Sequence, residues 1–335
     1  MKRFLVAPDS FKGTFGAAEV AEAIAAGVEA AGGEADRCPV ADGGEGTMAL
    51  LLGALGGERR RARVHDPLRR PIEASFAILG DGETAVVEIA QASGLSLVAP
   101  EERDAERADT YGTGELIAAA VASGARRLLV AVGGSATTDG ARGAIEALRQ
   151  SEAAFVLLPV YEGKRANAEV QIDVLCDVQT AFEDAARVFA PQKGADPTAV
   201  ERLTARLDAF AAGLPRDPRG VAMTGCAGGL SGGLWAYGAE LRPGAEFVLD
   251  ALDFDARLAR VDAVISGEGR FDSQSLEGKI VGTIARRCAV AGKPLHLIAG
   301  EDAGPTDPPP AVRGVVEARR LEEIERAAAE LARRT

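Results

Sequence analysis

Five short segments of this chain set glycine beside a carboxylate, a hydroxyl or a lysine: PDSFKG (8–13), DGGEG (42–46), GGSATTDG (133–140), APQKG (190–194) and SGEGRFD (266–272). Glycine lets backbone N–H groups approach an anion closely, and a helix start carries partial positive charge, so loops of this kind suit phosphate. Asp42 and Glu45 in the second segment suit Mg²⁺, which takes oxygen ligands and usually bridges substrate phosphates. Each segment alone is equally an ordinary turn or helix cap. Established phosphate motifs are missing. There is no GxxxxGK followed by Ser or Thr, GKIVGT (278–283) lacks the hydroxyl after Lys279, and no GxGxxG follows a strand. GGSATTDG is not a nucleophile elbow, because Thr137 stands where GxSxG needs glycine.

In open α/β sheets, loops that bind ligands gather at the carboxyl edge of the strands. The elements around these loops read accordingly. Phe4–Ala7 is a buried strand ended by Pro8, and Val20, Ile24 and Val28 put one stripe of a following helix against a core. Residues 34–40 read as a second strand, DGGEG as its exit loop and Thr47–Leu55 as a helix. From Arg59 to Glu88 the extended pieces RARVH, PIEASFAIL and TAVVEIA are punctuated by DPLRRP and GDGE, which read as hairpin turns. That shift suggests a domain boundary near residue 65. A helix over Thr113–Ser123 leads into the strand RLLVAV and the loop GGSATTDG; the apolar run VQIDVLCDV and a helix from Pro197 to Leu214 follow. Ala263–Ser266 precedes GEGRFD, and then come a helix near 277–291, the strand PLHLIAG, a stiff PTDPPP loop (305–310) and an amphipathic helix from Leu321. Alternating strand and helix patterns of this kind define an α/β protein.

Composition narrows the chemistry. A length of 335 residues allows about two domains. A formal charge of −12 argues against nucleic acid as a partner, since phosphate backbones demand a basic face. No stretch reaches the roughly 20 apolar residues of a membrane span, and the apolar run near the amino terminus stops at Pro8, too short for a secretory signal. A cytoplasmic location is the expectation. Cys38, Cys176, Cys226 and Cys288 form no CxxC pair and read as buried thiols, Cys226 included. With only His65 and His296 available, an imidazole metal site or a Ser/His/Asp triad has few builders, so any metal is a hard ion held by oxygen. The basic run Arg59–Arg63 reads as a solvated strand. Residues alone lead as far as an α/β enzyme that handles phosphate.

The order of the loops leads further. APDSFKG (7–13), VADGGEGT (40–47), YGTGEL (111–116), GGSATTDG (133–140), FAPQKGADP (189–197), AGGLSGG (227–233) and SGEGRFDSQSLEGK (266–279) resemble the successive signatures of the bacterial glycerate kinase family, from residue 4 to about 300. The resemblance implies two α/β domains, one flavodoxin-like and one similar to a restriction-endonuclease core, with one inserted into the other and the active site in the cleft between them. Combined with the boundary near 65, it gives a discontinuous domain of 1–64 plus 256–335 and an inserted domain of 65–255. It also implies phosphorylation of D-glycerate by ATP as co-substrate, giving 2-phosphoglycerate with Mg²⁺, in a monomer or homodimer with no nucleic-acid or membrane partner.

Roles follow from the needs of phosphoryl transfer, which are mainly positioning and charge neutralisation. Lys12 and Lys193 are expected to hold phosphate oxygens. Asp42 and Glu45 are expected to hold Mg²⁺ or a glycerate hydroxyl, while Gly43 and Gly44 turn the backbone against the ligand. Ser135, Thr137 and Asp139 suit nucleotide phosphate or the glycerate carboxylate. Glu268, Arg270 and Asp272 mix both charges in one loop, which suits an anionic substrate beside a metal. Asp42, then Asp272, ranks as the base for the glycerate hydroxyl. Asp9, Ser10 and Glu115 complete the set as further binding residues.

The chain departs from the family pattern at three places. Thr138 stands where relatives carry Asn, Ala141 where they carry Gly, and Gln179–Asp184 replaces an Asn-Pro-Leu turn after the retained Asp177. These changes keep open a kinase of the same fold acting on another small hydroxy acid. A non-catalytic nucleotide- or metabolite-binding relative is the third reading, and the joint retention of Lys12, Asp42, Glu45, Lys193 and Glu268 counts against it.

Overall fold

The structure is a computed structural model that describes residues 1–11, 13–151, 160–161, 164–165, 170–276, 279–304 and 309–335. In chain order the strands are β1 Arg3–Val6, β2 Glu34–Arg37, β3 Gly57–His65, β4 Pro71–Leu79, β5 Thr84–Glu88, β6 Arg127–Ala131, the short β7 Val160–Tyr161 and β8 Lys164–Arg165, β9 Gln171–Cys176, β10 Glu240–Pro243, β11 Ala263–Glu268, β12 Leu295–Ala299 and β13 Val312–Glu317. The chain divides into two compact units, Met1–Asp42 with Ala245–Thr335, and Gly43–Gly244.

The first unit is a sheet of order β13-β12-β11-β1-β2 with every neighbouring pair parallel. Counted within the unit this is 2-1-3-4-5, the order of flavodoxin-like sheets. Parallel strands buried on both faces read as continuous apolar runs, and Phe4, Leu5, Val6, Val264 and Ile265 are all sealed from solvent. The helix Ala17–Ala30 presents Val20, Ile24 and Val28 to a core shared with Ile324, Ala328 and Leu331 of the closing helix Leu321–Arg334. Each Val, Ile or Leu among them contributes about 1.5–3 kcal/mol on burial.

The second unit holds a mixed sheet of order β10-β9-β6-β5-β4-β3, in which β3, β4 and β5 run as an antiparallel meander and β5, β6, β9 and β10 are parallel. The extended pieces between Arg59 and Glu88 are these meander strands. Arg60 pairs with Glu58 on the exposed face of β3, so the basic run decorates a solvated strand. The four cysteines are free and buried.

The expected boundaries at 64/65 and 255/256 are displaced to 42/43 and 244/245. β3 pairs with β4 along its whole length, from Gly57↔Leu79 to His65↔Pro71, and so belongs to the second sheet. The helix Thr47–Leu55 is tied to the same sheet, because Met48 N–H donates to Glu88 at the end of β5. At the other crossing, Glu246 and Asp250 pair with Arg287 on the helix Ile280–Ala291, which places the segment from 245 onward in the first unit. Glu277 and Gly278, at the start of the helix expected near 277–291, and residues 305–308 of the PTDPPP loop lie outside the described residues.

Candidate functional site

In the first unit the strand order reverses between β1 and β11, and ligands in open α/β sheets bind outside the carboxyl ends of strands at such a switch point. A pocket of about 540 Å³ opens there. Asp9, Ser10 and Phe11 reach it from the loop after β1, Asp42 from the segment after β2, and Glu268, Arg270 and Asp272 from the end of β11. Asp9 N–H donates to Gly267 carbonyl at 2.8 Å, and the Ser266 hydroxyl donates to Ala7 carbonyl at 2.7 Å, so the two loops leave the sheet clamped together.

Glu268 is the unusual group. Its Oε1 is buried with no hydrogen-bond partner among the described residues. Burial pushes its carboxyl up to about 7, reinforced by the charges of Asp9 and Asp272 and opposed by the Ser275 hydroxyl and Lys279. Asp272 is engaged locally: Ser275 N–H donates to its Oδ1 at 3.2 Å, and Arg270 lies 3.5 Å from both Asp272 and Glu301. Arg270 is exposed and held as a surface ion pair. Lys279, which stands in GKIVGT and closes SGEGRFDSQSLEGK but was not among the expected site residues, lines the same pocket. Lys12 lies outside the described residues.

In the second unit a constellation forms around residues 133–140. An added Cβ at Gly133 would lie 2.6 Å from the Gly44 Cα, so DGGEG and GGSATTDG touch backbone to backbone and only glycine fits. Glu45 is exposed, and its carboxylate lies on the side of Gly134 where a Cβ would be 3.6 Å away. Gly43 sits at φ 91°, a left-handed turn suited to glycine, against Gly244 and Leu175 of the same unit. Glu88, which the sequence did not single out, accepts from Met48 N–H at 2.7 Å and holds the start of the helix that follows DGGEG.

Lys193 is buried beneath this loop, 1% exposed. Its Nζ donates to Ser135 Oγ at 2.7 Å and to Thr137 carbonyl at 2.6 Å. Burial lowers its amine to about 7 against the opposing pull of Asp139. Asp139 Oδ2 accepts from Thr110 N–H, Thr110 hydroxyl and Gly143 N–H at 3.0, 2.8 and 2.9 Å, and burial raises its carboxyl above the usual range. Thr137 Oγ1, Thr138 Oγ1 and Asp139 Oδ1 are buried without a partner among the described residues. Since buried polar groups are nearly always hydrogen-bonded, three such atoms in one loop mark a place built to meet something else. Glu115 is not free for a ligand: it accepts from His65 N–H at 2.8 Å and faces His65 Nδ1 at 3.0 Å.

The structure therefore gathers Asp9, Ser10, Asp42, Glu268, Arg270 and Asp272 in one unit, and Gly43, Gly44, Glu45, Ser135, Thr137, Asp139 and Lys193 in the other. Among the described residues, no group of three or more His, Cys, Asp or Glu side chains is arranged to hold a metal ion. No helix among them is long and apolar enough to cross a membrane.

Comparison with known proteins covers most of the chain. A profile of the glycerate kinase family matches residues 4–154 and 159–327. A glycerate kinase of Haemophilus influenzae is 39% identical over 323 residues, 89% of this chain and 85% of that protein. A glycerate 2-kinase of Escherichia coli is 38% identical over 329 residues, again 89% and 85%. A crystal structure from Salmonella typhimurium LT2, provisionally named glycerate kinase 2, superposes with a TM-score of 0.82 at 32% identity, covering 99% of this chain and 97% of its own.

Proposed function

Because the chain belongs to the glycerate kinase family and is thereby a kinase, we propose that it moves the γ-phosphoryl group of ATP onto the C2 hydroxyl of D-glycerate, releasing ADP and 2-phosphoglycerate. The observation that carries the reading is the switch-point pocket, where Glu268 keeps a buried oxygen with no partner among the described residues, beside Asp9, Asp42, Asp272 and Lys279. We place the enzyme in the cytoplasm.

Glu268 replaces Asp42 and Asp272 as the proposed proton acceptor. An efficient base has a pKa near the working pH, and Glu268 titrates at about 7, whereas Asp272 is committed to Ser275 and Arg270. The hydroxyl proton passes to Glu268, the freed oxygen attacks the γ-phosphorus, and the bond to the ADP oxygen breaks. Lys279 sits where it offsets charge on a bound anion. In the second unit, Lys193 places a buried positive charge under Ser135 and Thr137, so an anion arriving above that loop raises its proton affinity and is held by it. Lys12 retains its assignment as a phosphate-holding residue.

The oxygen-only donor chemistry around these loops fits Mg²⁺, which needs one or two carboxylates and takes its remaining ligands from water and phosphate. Asp42, in the switch-point pocket, is the proposed ligand, and Glu45 retains the metal assignment that the family resemblance gives it. When bound, the ion supplies charge neutralisation on the transferring phosphate.

An ADP-release assay with ATP, Mg²⁺ and a panel of small hydroxy acids tests the substrate. Turnover is expected with D-glycerate in preference to its enantiomer and to longer hydroxy acids. A second reading, another hydroxy acid as acceptor, is favoured by the Thr138 hydroxyl, buried with no partner among the described residues. Turnover with a different acid and none with D-glycerate would select it.

A further inference from the structure

Among the described residues, three cations line the switch-point pocket, and two of them already face carboxylates. Arg270 lies 3.5 Å from both Asp272 and Glu301, and the charge of Lys279 acts on Glu268. The third is Arg319, which follows the end of β13 and which the sequence did not single out. Its backbone N–H donates to Glu323 at 2.9 Å, and its Nε donates to the Gly300 carbonyl at 2.9 Å. One edge of the guanidinium is therefore pinned, while Nη1 and Nη2 have no hydrogen-bond or ion-pair partner among the described residues.

The exits of three neighbouring strands set this group beside the proposed proton acceptor. Glu268 is in register with Ala299, Gly300 N–H donates to the Glu268 carbonyl at 3.1 Å, and Ala318 N–H donates to the Ala299 carbonyl at 2.8 Å. Because Nε of Arg319 reaches Gly300, its side chain runs from β13 back to the exit of β12, the neighbour of the strand that carries Glu268. Phe11, 3% exposed, joins the two positions: a Cβ added at Gly267 would lie 3.4 Å from its ring, and one at Gly300 3.5 Å. On the far side of Glu268, after β1 and β2, stand Asp9 and Asp42. Across this edge the order is thus carboxylates, Glu268, then a guanidinium with a free end.

That order has a direction for a hydroxy acid whose hydroxyl meets Glu268. Asp9 and Asp42 repel its carboxylate, whereas the open fork of Arg319 matches a carboxylate in charge and shape. We propose that Arg319 binds the carboxylate of the acceptor through Nη1 and Nη2, so that the acid lies with its hydroxyl on Glu268 and its charged end toward β13. The proposal rests on the reading of this pocket as the acceptor site. It makes Arg319 the residue that selects an acid over an uncharged alcohol of the same length.

The test measures binding to the full chain by calorimetry, with Mg²⁺ and saturating ADP, of D-glycerate and of its uncharged amide, D-glyceramide. Arg319→Met is the variant; the side chain is exposed, and a thermal melt checks that the fold is kept. Wild type is expected to bind the acid about tenfold to a hundredfold more tightly than the amide, and the variant to lose that margin while binding the amide and ADP as before. Equal wild-type affinity for acid and amide, unchanged acid binding in the variant, an equal loss for both ligands, weakened ADP in place of weakened acid, or no binding of D-glycerate at all overturns the proposal. ADP release from ATP with D-glycerate, read alongside, keeps the two readings apart. Acid binding that depends on Arg319 without turnover removes the reaction and leaves the role of Arg319 standing; turnover with the same acceptor KM in the variant removes Arg319 alone.

Discussion

Glu268 and Lys193 both titrate near 7, from opposite directions and for one reason, burial. For Glu268 the folded pKa lies above the usual 4.5, so the folded protein binds more protons than the unfolded chain between about 4.5 and about 7. Its contribution to stability is complete below that window and is lost as pH rises through it. Activity runs the other way, because the ionised form accepts the proton. Glu268→Gln is expected to lower kcat by about 10²-fold or more, to abolish an acidic limb near pH 7 in the rate profile, and to flatten the stability change across the window. Retained kcat in a folded variant would remove Glu268 from the chemistry. For Lys193 the folded pKa lies below the usual 10.5, so stability rises with pH from about 7 to about 10.5 as the unfolded chain keeps its proton longer. Lys193→Met should lose that slope in melts at stepped pH, and should also lose turnover. The sequence marks both residues by their glycine-rich surroundings, but burial comes from distant segments, and no local pattern shows which lysine will be sealed.

At the scale of elements, the close contact of two loops is the feature most exposed to a single substitution. Gly133→Ala puts a methyl group 2.6 Å from the Gly44 Cα, backbone against backbone, where neither side can yield cheaply. Turnover is expected to fall more than about tenfold, with a loss of roughly 1–3 kcal/mol in denaturant unfolding, the range for overpacking. Wild-type stability and rate would show that the loops separate freely. Ala141 sits at φ 74°, a left-handed position that disfavours a side chain, and Ala141→Gly is expected to raise stability by up to about 1 kcal/mol. An unchanged or lower unfolding midpoint would show that Gly's extra freedom cancels the relief.

Elements with strong periodicity were legible: the stripe of Val20, Ile24 and Val28, the strands RLLVAV and PLHLIAG, and the helix Thr47–Leu55 all appear where the pattern puts them. β10 and the helix Cys226–Ala236 were not read as elements. The first is four residues long, and the second begins with Ala227, Gly228 and Gly229 in left-handed conformation, which periodicity does not represent. The boundary near 65 was misplaced because a change from helix-like to strand-like pattern marks a change of element, and β3 already belongs to the second sheet.

At the scale of the whole molecule, the chemistry is divided between two units of different topology. A parallel sheet supplies the carboxylate pocket, and a mixed sheet supplies the loop over Lys193. Both sets lay scattered in the sequence from Asp9 to Asp272, and only their family order linked them before the fold did. The central claim is that the molecule joins phosphate to the C2 oxygen of D-glycerate. The most direct measurement incubates the full chain with ATP, Mg²⁺ and D-glycerate and reads the product by phosphorus–proton correlation NMR. The expected product couples its phosphorus to the single methine proton at C2. Coupling to the methylene protons at C3, or no phosphate ester at all, would contradict the account.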